Sequence, residues 1–223
     1  MMKYKCLVLD HDDTVVASSE AIHYPSFIEY LKDYRPELVK NYTFESFIIK
    51  NFDPGIVSLL QDEVGLNEEE MKHEEQYWLD FIETRFPKAY DGMSEIISDF
   101  KAKGGIVAVA SHSMTHYIVR DYEHNSLPTP DVIYGWDIPK ENRKPSPWCI
   151  LDLCKRYNLK PEEILVVDDL KPGYDMARGA GAHFAAAGWA YDVPEIESFM
   201  REHCDFYLKC VDDLEKLVFG GKE

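Results

Sequence analysis

Two short apolar runs in this chain stop abruptly on aspartates, and that pattern restricts the fold more than any other. Cys6–Leu9 leads into Asp10-His11-Asp12-Asp13-Thr14, and Ile164–Val167 leads into Asp168-Asp169. Apolar runs this short, with no polar alternation, suit strands buried on both faces. Ile106–Ala110, Val132–Tyr134 and His183–Ala187 have the same character, and Asp205–Leu208 is a candidate late strand. Helical patterns lie between the runs. Met93, Ile96, Ile97 and Phe100 recur at i, i+3, i+4 and i+7. Ser146 reads as an N-cap with Pro147 at the first helical position. That helix is expected to bury Trp148, Leu151 and Cys154 and to end near Asn158. The alternation predicts an α/β fold built on a doubly wound parallel sheet.

The segment between the first and second strands is too long for a simple crossover, which needs only a dozen or more residues. Residues 16–90 read as helical instead. Tyr24, Phe27, Ile28 and Leu31 form one apolar stripe, and Met71, Trp78, Phe81, Ile82 and Arg85 form another. Pro87 and Asp91-Gly92 mark the return. The expected organisation is an α/β core of residues 1–15 and 91–223, with a small all-helical domain of residues 16–90 inserted into it.

Composition narrows the function. Lys and Arg number 24 and Asp and Glu 41, a net charge of −17. A surface this acidic repels phosphate backbones, so nucleic acid is not an expected partner. No apolar run approaches the roughly 20 residues of a membrane helix, and Cys6–Leu9 is too short for a signal-peptide core. The five cysteines are an odd number without a CxxC pair, which suits a reducing, cytoplasmic setting. Oligomeric state is not legible.

The aspartates suggest chemistry. In open α/β sheets ligands bind beyond the carboxyl ends of the strands, so the two acidic clusters point into one crevice. Crowded carboxylates repel unless a cation lies between them, and an all-oxygen set suits a hard ion such as Mg²⁺. One carboxylate can then act as nucleophile. The second strand ends in Ser111-His112-Ser113. Ser111 and free backbone N–H groups there can cradle an anion, and Ser113 can cap the next helix. His112 is a second candidate substrate contact, with a solvent-facing or structural role as the alternative. Lys144, among prolines in Arg143-Lys144-Pro145-Ser146-Pro147, can neutralise both carboxylates and phosphate oxygens.

The order of these pieces resembles the haloacid dehalogenase superfamily, in its helical-cap branch with phosphoglycolate phosphatase and β-phosphoglucomutase. Asp10-His11-Asp12-Asp13-Thr14 is similar to the family's first motif, Ser111 to the second, Lys144 with its Lys-Pro-x-Pro context to the third, and Val166 to Gly181 to the fourth. The resemblance implies Asp10 as nucleophile, Asp12 as general acid and base, and Ser111 and Lys144 as phosphate contacts. It also implies Mg²⁺ held by Asp10, the Asp12 carbonyl and Asp169, with Asp168 as ligand or supporting partner. The implied activity is phosphate removal from a small phosphorylated metabolite under a closing helical cap. A sugar-phosphate mutase and a catalytically silent binding protein are the alternatives. Two departures stand out. Asp13 replaces the usual glycine, at a position expected to need an unusual backbone conformation, and Gly173 stands where many relatives carry an acid.

Overall fold

The computed structural model describes residues 2–220. The chain divides into two compact units, one formed by the chain up to Ala17 together with Lys88 onward, the other by Ser18–Pro87.

The first unit is built on six strands in the order β5-β4-β1-β6-β7-β8. They are β1 (Cys6–Leu9), β4 (Ile106–Ala110), β5 (Val132–Tyr134), β6 (Ile164–Asp168), β7 (His183–Ala187) and β8 (Phe206–Leu208). Every neighbouring pair is parallel. A separate antiparallel ribbon joins β2 (Val16–Ala17) to β3 (Lys88–Ala89). The central strands β1 and β6 are buried at every position, as their continuous apolar runs require when helices cover both faces. The helices of this unit are α5 (Met93–Ala102), α6 (Thr115–His124), α7 (Trp148–Tyr157), α8 (Lys171–Ala180), α9 (Pro194–His203) and α10 (Val211–Phe219). Met93, Ile96, Ile97 and Phe100 enter the core with Leu7, Leu9, Val107 and Val109 of the sheet.

The sheet's register sets up the site. The chain leaves β1 for β4 on one side and later returns to β6 on the other, so β1 lies at the topological switch point. Leu9 pairs with Val109 and with Val167. Asp10 therefore follows β1 level with Ala110 and Asp168, and its N–H donates to the Val167 carbonyl at 2.9 Å.

The second unit is helical, with α1 (Tyr24–Tyr34), α2 (Phe44–Phe52), the short α3 (Ile56–Ser58) and α4 (Glu68–Ile82). Two of these helices open on capping boxes, Thr43 with Ser46 and Asn67 with Glu70. Phe27, Leu31, Phe47 and Ile48 are among its buried side chains, with the Phe27 and Phe47 rings 5.1 Å apart. Arg85 falls beyond α4 and is exposed rather than part of its apolar stripe. Its guanidinium lies over the Phe81 ring instead. No helix among the described residues is long and apolar enough to cross a membrane.

Helix α7 corrects the sequence expectation by one face. It starts at Trp148 with Pro147 as N-cap, not with Ser146, and it buries Cys149, Ile150 and Leu153. Trp148 and Leu151 are exposed. The helix is apolar nearly all round at its start, so periodicity could not choose between two adjacent stripes. Its end is as expected, with Asn158 in the left-handed conformation. Leu153→Ala should cost about 2–5 kcal/mol in urea unfolding, and Leu151→Ala less than about 1 kcal/mol.

Candidate active site

Four of the expected residues meet in one buried constellation. The Lys144 ammonium, 5% exposed, donates to Asp10 Oδ1 and to Asp168 Oδ2, both at 2.7 Å. Oxygen atoms of Asp10, Asp168 and Asp169 lie within 4.8 Å of one another, and all three residues are buried. Asp12 is not part of that cluster among the described residues. Its Oδ2 instead accepts a 2.5 Å hydrogen bond from Ser113 Oγ.

Electrostatics in this cluster is unbalanced. Three carboxylates face one ammonium where little water can screen them. Burial pushes the Asp168 carboxyl up to about 7, with Lys144 opposing and Asp10 adding to the shift. Burial likewise raises Asp169 well above the ordinary carboxylate range, and the charges of Asp168, Asp10 and Asp13 add to it. Lys144 answers in the opposite sense. Burial alone would lower its pKa, but Asp10 and Asp168 outweigh that and hold it charged. This all-oxygen donor set with excess negative charge fits a hard divalent cation.

The loop after β1 is pinned from several directions. Asp13 has φ 57°, the left-handed region, which explains why glycine is the usual residue and why Asp is a tolerable substitute. Thr14 Oγ1 donates to Asp169 Oδ1 at 3.2 Å. His11, fully buried, lies 3.2 Å from Asp121 Oδ2 through Nε2 and stacks on Tyr122. Burial alone would lower the His11 pKa; the Asp121 hydrogen bond and the charges of Asp12, Asp121 and Asp10 outweigh it and raise the value.

The serine strand end is arranged differently from expectation. Ser111 is buried, and its Oγ accepts from the Ser113 N–H at 3.1 Å. Ser113 does not cap α6. Asp137, after β5, does so from a distance by accepting from the Thr115 N–H at 2.9 Å and from its hydroxyl at 2.6 Å. Ser113 therefore remains available to Asp12, a role that sequence reading missed.

His112 serves the lysine loop. Its Nε2 donates to the Lys144 carbonyl at 3.1 Å; a carbonyl only accepts, so this nitrogen carries the proton. The ring lies edge-on to Trp136, which Arg143 covers. These contacts favour the structural alternative for His112 over a substrate contact.

Gly173 also has a geometric reason. A Cβ there would meet Asp168 Oδ2 at 2.1 Å. The Asp168 carboxylate fills that space, turned by a 2.8 Å bond from the Leu170 N–H. An acid at position 173 and Asp168 in this rotamer exclude each other.

Acid should weaken the His112 support. Burial first, and then the Lys144 charge, depress its pKa from 6.5 to about 4. Between those values the unfolded chain binds a proton that the folded chain refuses, so stability falls as pH drops through that window. The stability advantage of wild type over His112→Asn, read from urea unfolding, should be fully present above about pH 6.5 and shrink toward pH 4.

Comparison with known proteins concerns the family and the fold. A phosphoglycolate phosphatase of Nitrosospira multiformis is 27% identical over 146 residues, which span 62% of this chain and 59% of that protein. Three solved structures share the fold. A predicted phosphoglycolate phosphatase of Haemophilus somnus has a TM-score of 0.72 at 21% identity, covering 97% of this chain and 99% of that one. A haloacid dehalogenase-like protein of unknown function from Agrobacterium tumefaciens has a TM-score of 0.70 at 18% identity, covering 96% and 97%. CbbY of Rhodobacter sphaeroides, solved with phosphate, has a TM-score of 0.62 at 19% identity, covering 95% and 96%. The family model for haloacid dehalogenase-like hydrolases matches residues 7–187, from the first aspartate strand through β7. That match spans most of the chain, and the chain belongs to the haloacid dehalogenase-like hydrolase family.

Proposed function

We propose that this chain is a Mg²⁺-dependent phosphohydrolase that removes phosphate from a small phosphorylated metabolite through an aspartyl-phosphate on Asp10. The observation that carries the reading is the buried Asp10, held by Lys144 within the three-carboxylate cluster, with a second aspartate two residues on.

In this mechanism Asp10 Oδ2 attacks phosphorus, because Oδ1 is committed to Lys144. The bond from phosphorus to the leaving oxygen breaks as Asp12 gives that oxygen a proton. Asp12, now ionised, takes a proton from water, which attacks phosphorus and releases phosphate and free Asp10. Lys144 offsets charge on the transferring group, and Ser111 with the N–H groups of its loop binds phosphate oxygens. Asp10, Asp169 and the Asp12 carbonyl, with Asp168 in support, would hold Mg²⁺, which would supply shielding of the incoming negative charge.

Asp12 favours phosphoryl transfer over dehalogenation, which needs no acid two residues after the nucleophile. The phosphoglycolate phosphatase similarity and the CbbY complex with xylulose-1,5-bisphosphate support a phosphate ester as substrate. A mutase of the β-phosphoglucomutase type is the second reading, and product analysis from a hexose 1-phosphate separates the two.

Hydrolysis of p-nitrophenyl phosphate should require Mg²⁺ and stop with chelator. Asp10→Asn should lower kcat on the order of 10⁴-fold or more; near-wild-type turnover by that variant removes Asp10 as nucleophile. Ser113→Ala tests the acid. With its partner gone, Asp12 loses orientation, and kcat/KM should fall several-fold more for an alkyl phosphate than for p-nitrophenyl phosphate, whose leaving group needs no proton. An equal loss on both substrates would count against Ser113 acting through Asp12.

A further inference from the structure

The loop after β7 reaches back across the strand ends in a way that the reaction chemistry does not require. The Tyr191 hydroxyl lies 2.5 Å from Asp13 Oδ2 and 2.9 Å from Asp169 Oδ2, so its single proton is shared between the two carboxylates in a three-centre hydrogen bond. Two residues earlier, Trp189 Nε1 donates to the Thr14 carbonyl at 3.2 Å. The strand's exit is held close as well, since a Cβ on Gly188 would meet the Tyr207 ring at 2.4 Å and the Leu208 carbonyl at 2.7 Å. The matched family stretch ends at residue 187, short of both aromatic side chains.

The position of Asp13 makes this contact informative. At φ 57° a glycine would suffice and would add no charge. Asp13 instead brings a fourth carboxylate beside Asp169, both lying against the one Tyr191 hydroxyl. Two carboxylates facing each other repel and swing apart unless a donor lies between them. The Tyr191 hydroxyl stands between these two. Asp169 thereby has Oδ1 bonded by the Thr14 hydroxyl and Oδ2 sharing the Tyr191 proton with Asp13, so its orientation is set before any cation arrives. Hydrogen bonds of this kind fix a ligand's direction and commonly change metal affinity by 10–100-fold when lost.

We propose that Tyr191 is a positioning residue for Asp169, and that Asp13 and Tyr191 together form a brace that holds this carboxylate ready for a divalent cation. The inference rests on the cation reading of the cluster. It makes Asp13 a residue that acts only with Tyr191: the aspartate imposes a repulsion that the hydroxyl relieves.

The test is Mg²⁺ binding to the full chain by isothermal calorimetry, with thermal unfolding in chelator as the control for folding. Tyr191→Phe removes only the hydroxyl and leaves Asp13 and Asp169 face to face; it should weaken Mg²⁺ binding roughly tenfold or more. Adding Asp13→Asn supplies an amide donor in the same place, because Asn also tolerates the left-handed conformation. The double variant should recover to within about threefold of wild type. The proposal is overturned if Tyr191→Phe binds Mg²⁺ within about twofold of wild type, if the double variant is no tighter than Tyr191→Phe, or if Tyr191→Phe is unfolded in chelator. Asp169→Asn separates this from the underlying reading. Wild-type chain that gives no Mg²⁺ heat defeats the cation site itself. Binding that Asp169→Asn abolishes and Tyr191→Phe leaves intact defeats the brace alone.

Discussion

The contact between Lys144 and two aspartates, Asp10 and Asp168, joins the three parts of this fold that must agree for a site to exist. Asp10 follows β1, Asp168 ends β6, and Lys144 comes from the loop before α7. A buried ammonium without carboxylates, or these carboxylates without the ammonium, would be strongly destabilising, because an unpaired charge in a weakly polar interior finds no compensation. The parallel register of β1 with β6 is therefore tied to the lysine loop, and the loop in turn is held by His112 through the Lys144 carbonyl.

Even so, one ammonium does not balance three carboxylates. The upward shifts of Asp168 and Asp169 express the remaining cost. The fold tolerates this because its large core is elsewhere: the strands carrying the site are buried along their whole length by helices on both faces. The destabilising charge is confined to the strand ends, where an ion and an anionic substrate can relieve it. Stability and chemistry are in this way separated along each strand, apolar up to Leu9 and Val167 and charged from Asp10 and Asp168 onward.

The loops around the aspartates are held by side chains rather than by regular structure. Ser113 engages Asp12, Thr14 and Tyr191 engage Asp169, and Asp121 engages His11. Each contact fixes a carboxylate or imidazole in direction as well as in place. The proposed phosphoryl transfer would depend on that alignment, since reacting groups must be held within roughly half an ångström of productive geometry. Gly173 contributes by absence, leaving the space that Asp168 occupies.

Much of this was legible in the order of residues. Short apolar runs between helical stripes identified the parallel strands, because burial on both faces requires uninterrupted apolar side chains. Aspartates at two strand ends pointed to one carboxylate cluster, and the sheet topology brings Asp10, Asp168 and Asp169 together. The buried face of α7 was not legible, because Trp148, Cys149, Ile150, Leu151, Leu153 and Cys154 crowd its circumference and only the surroundings choose among them. The partners of the site carboxylates were equally hidden. Asp12 and Ser113 are 101 residues apart, and Asp13 and Tyr191 are 178 apart. Local propensity reports what a segment does with its neighbours. Hydrogen bonds between distant side chains arise only when strand register and loop path bring them within 3 Å or so, and those are decided by the packed whole.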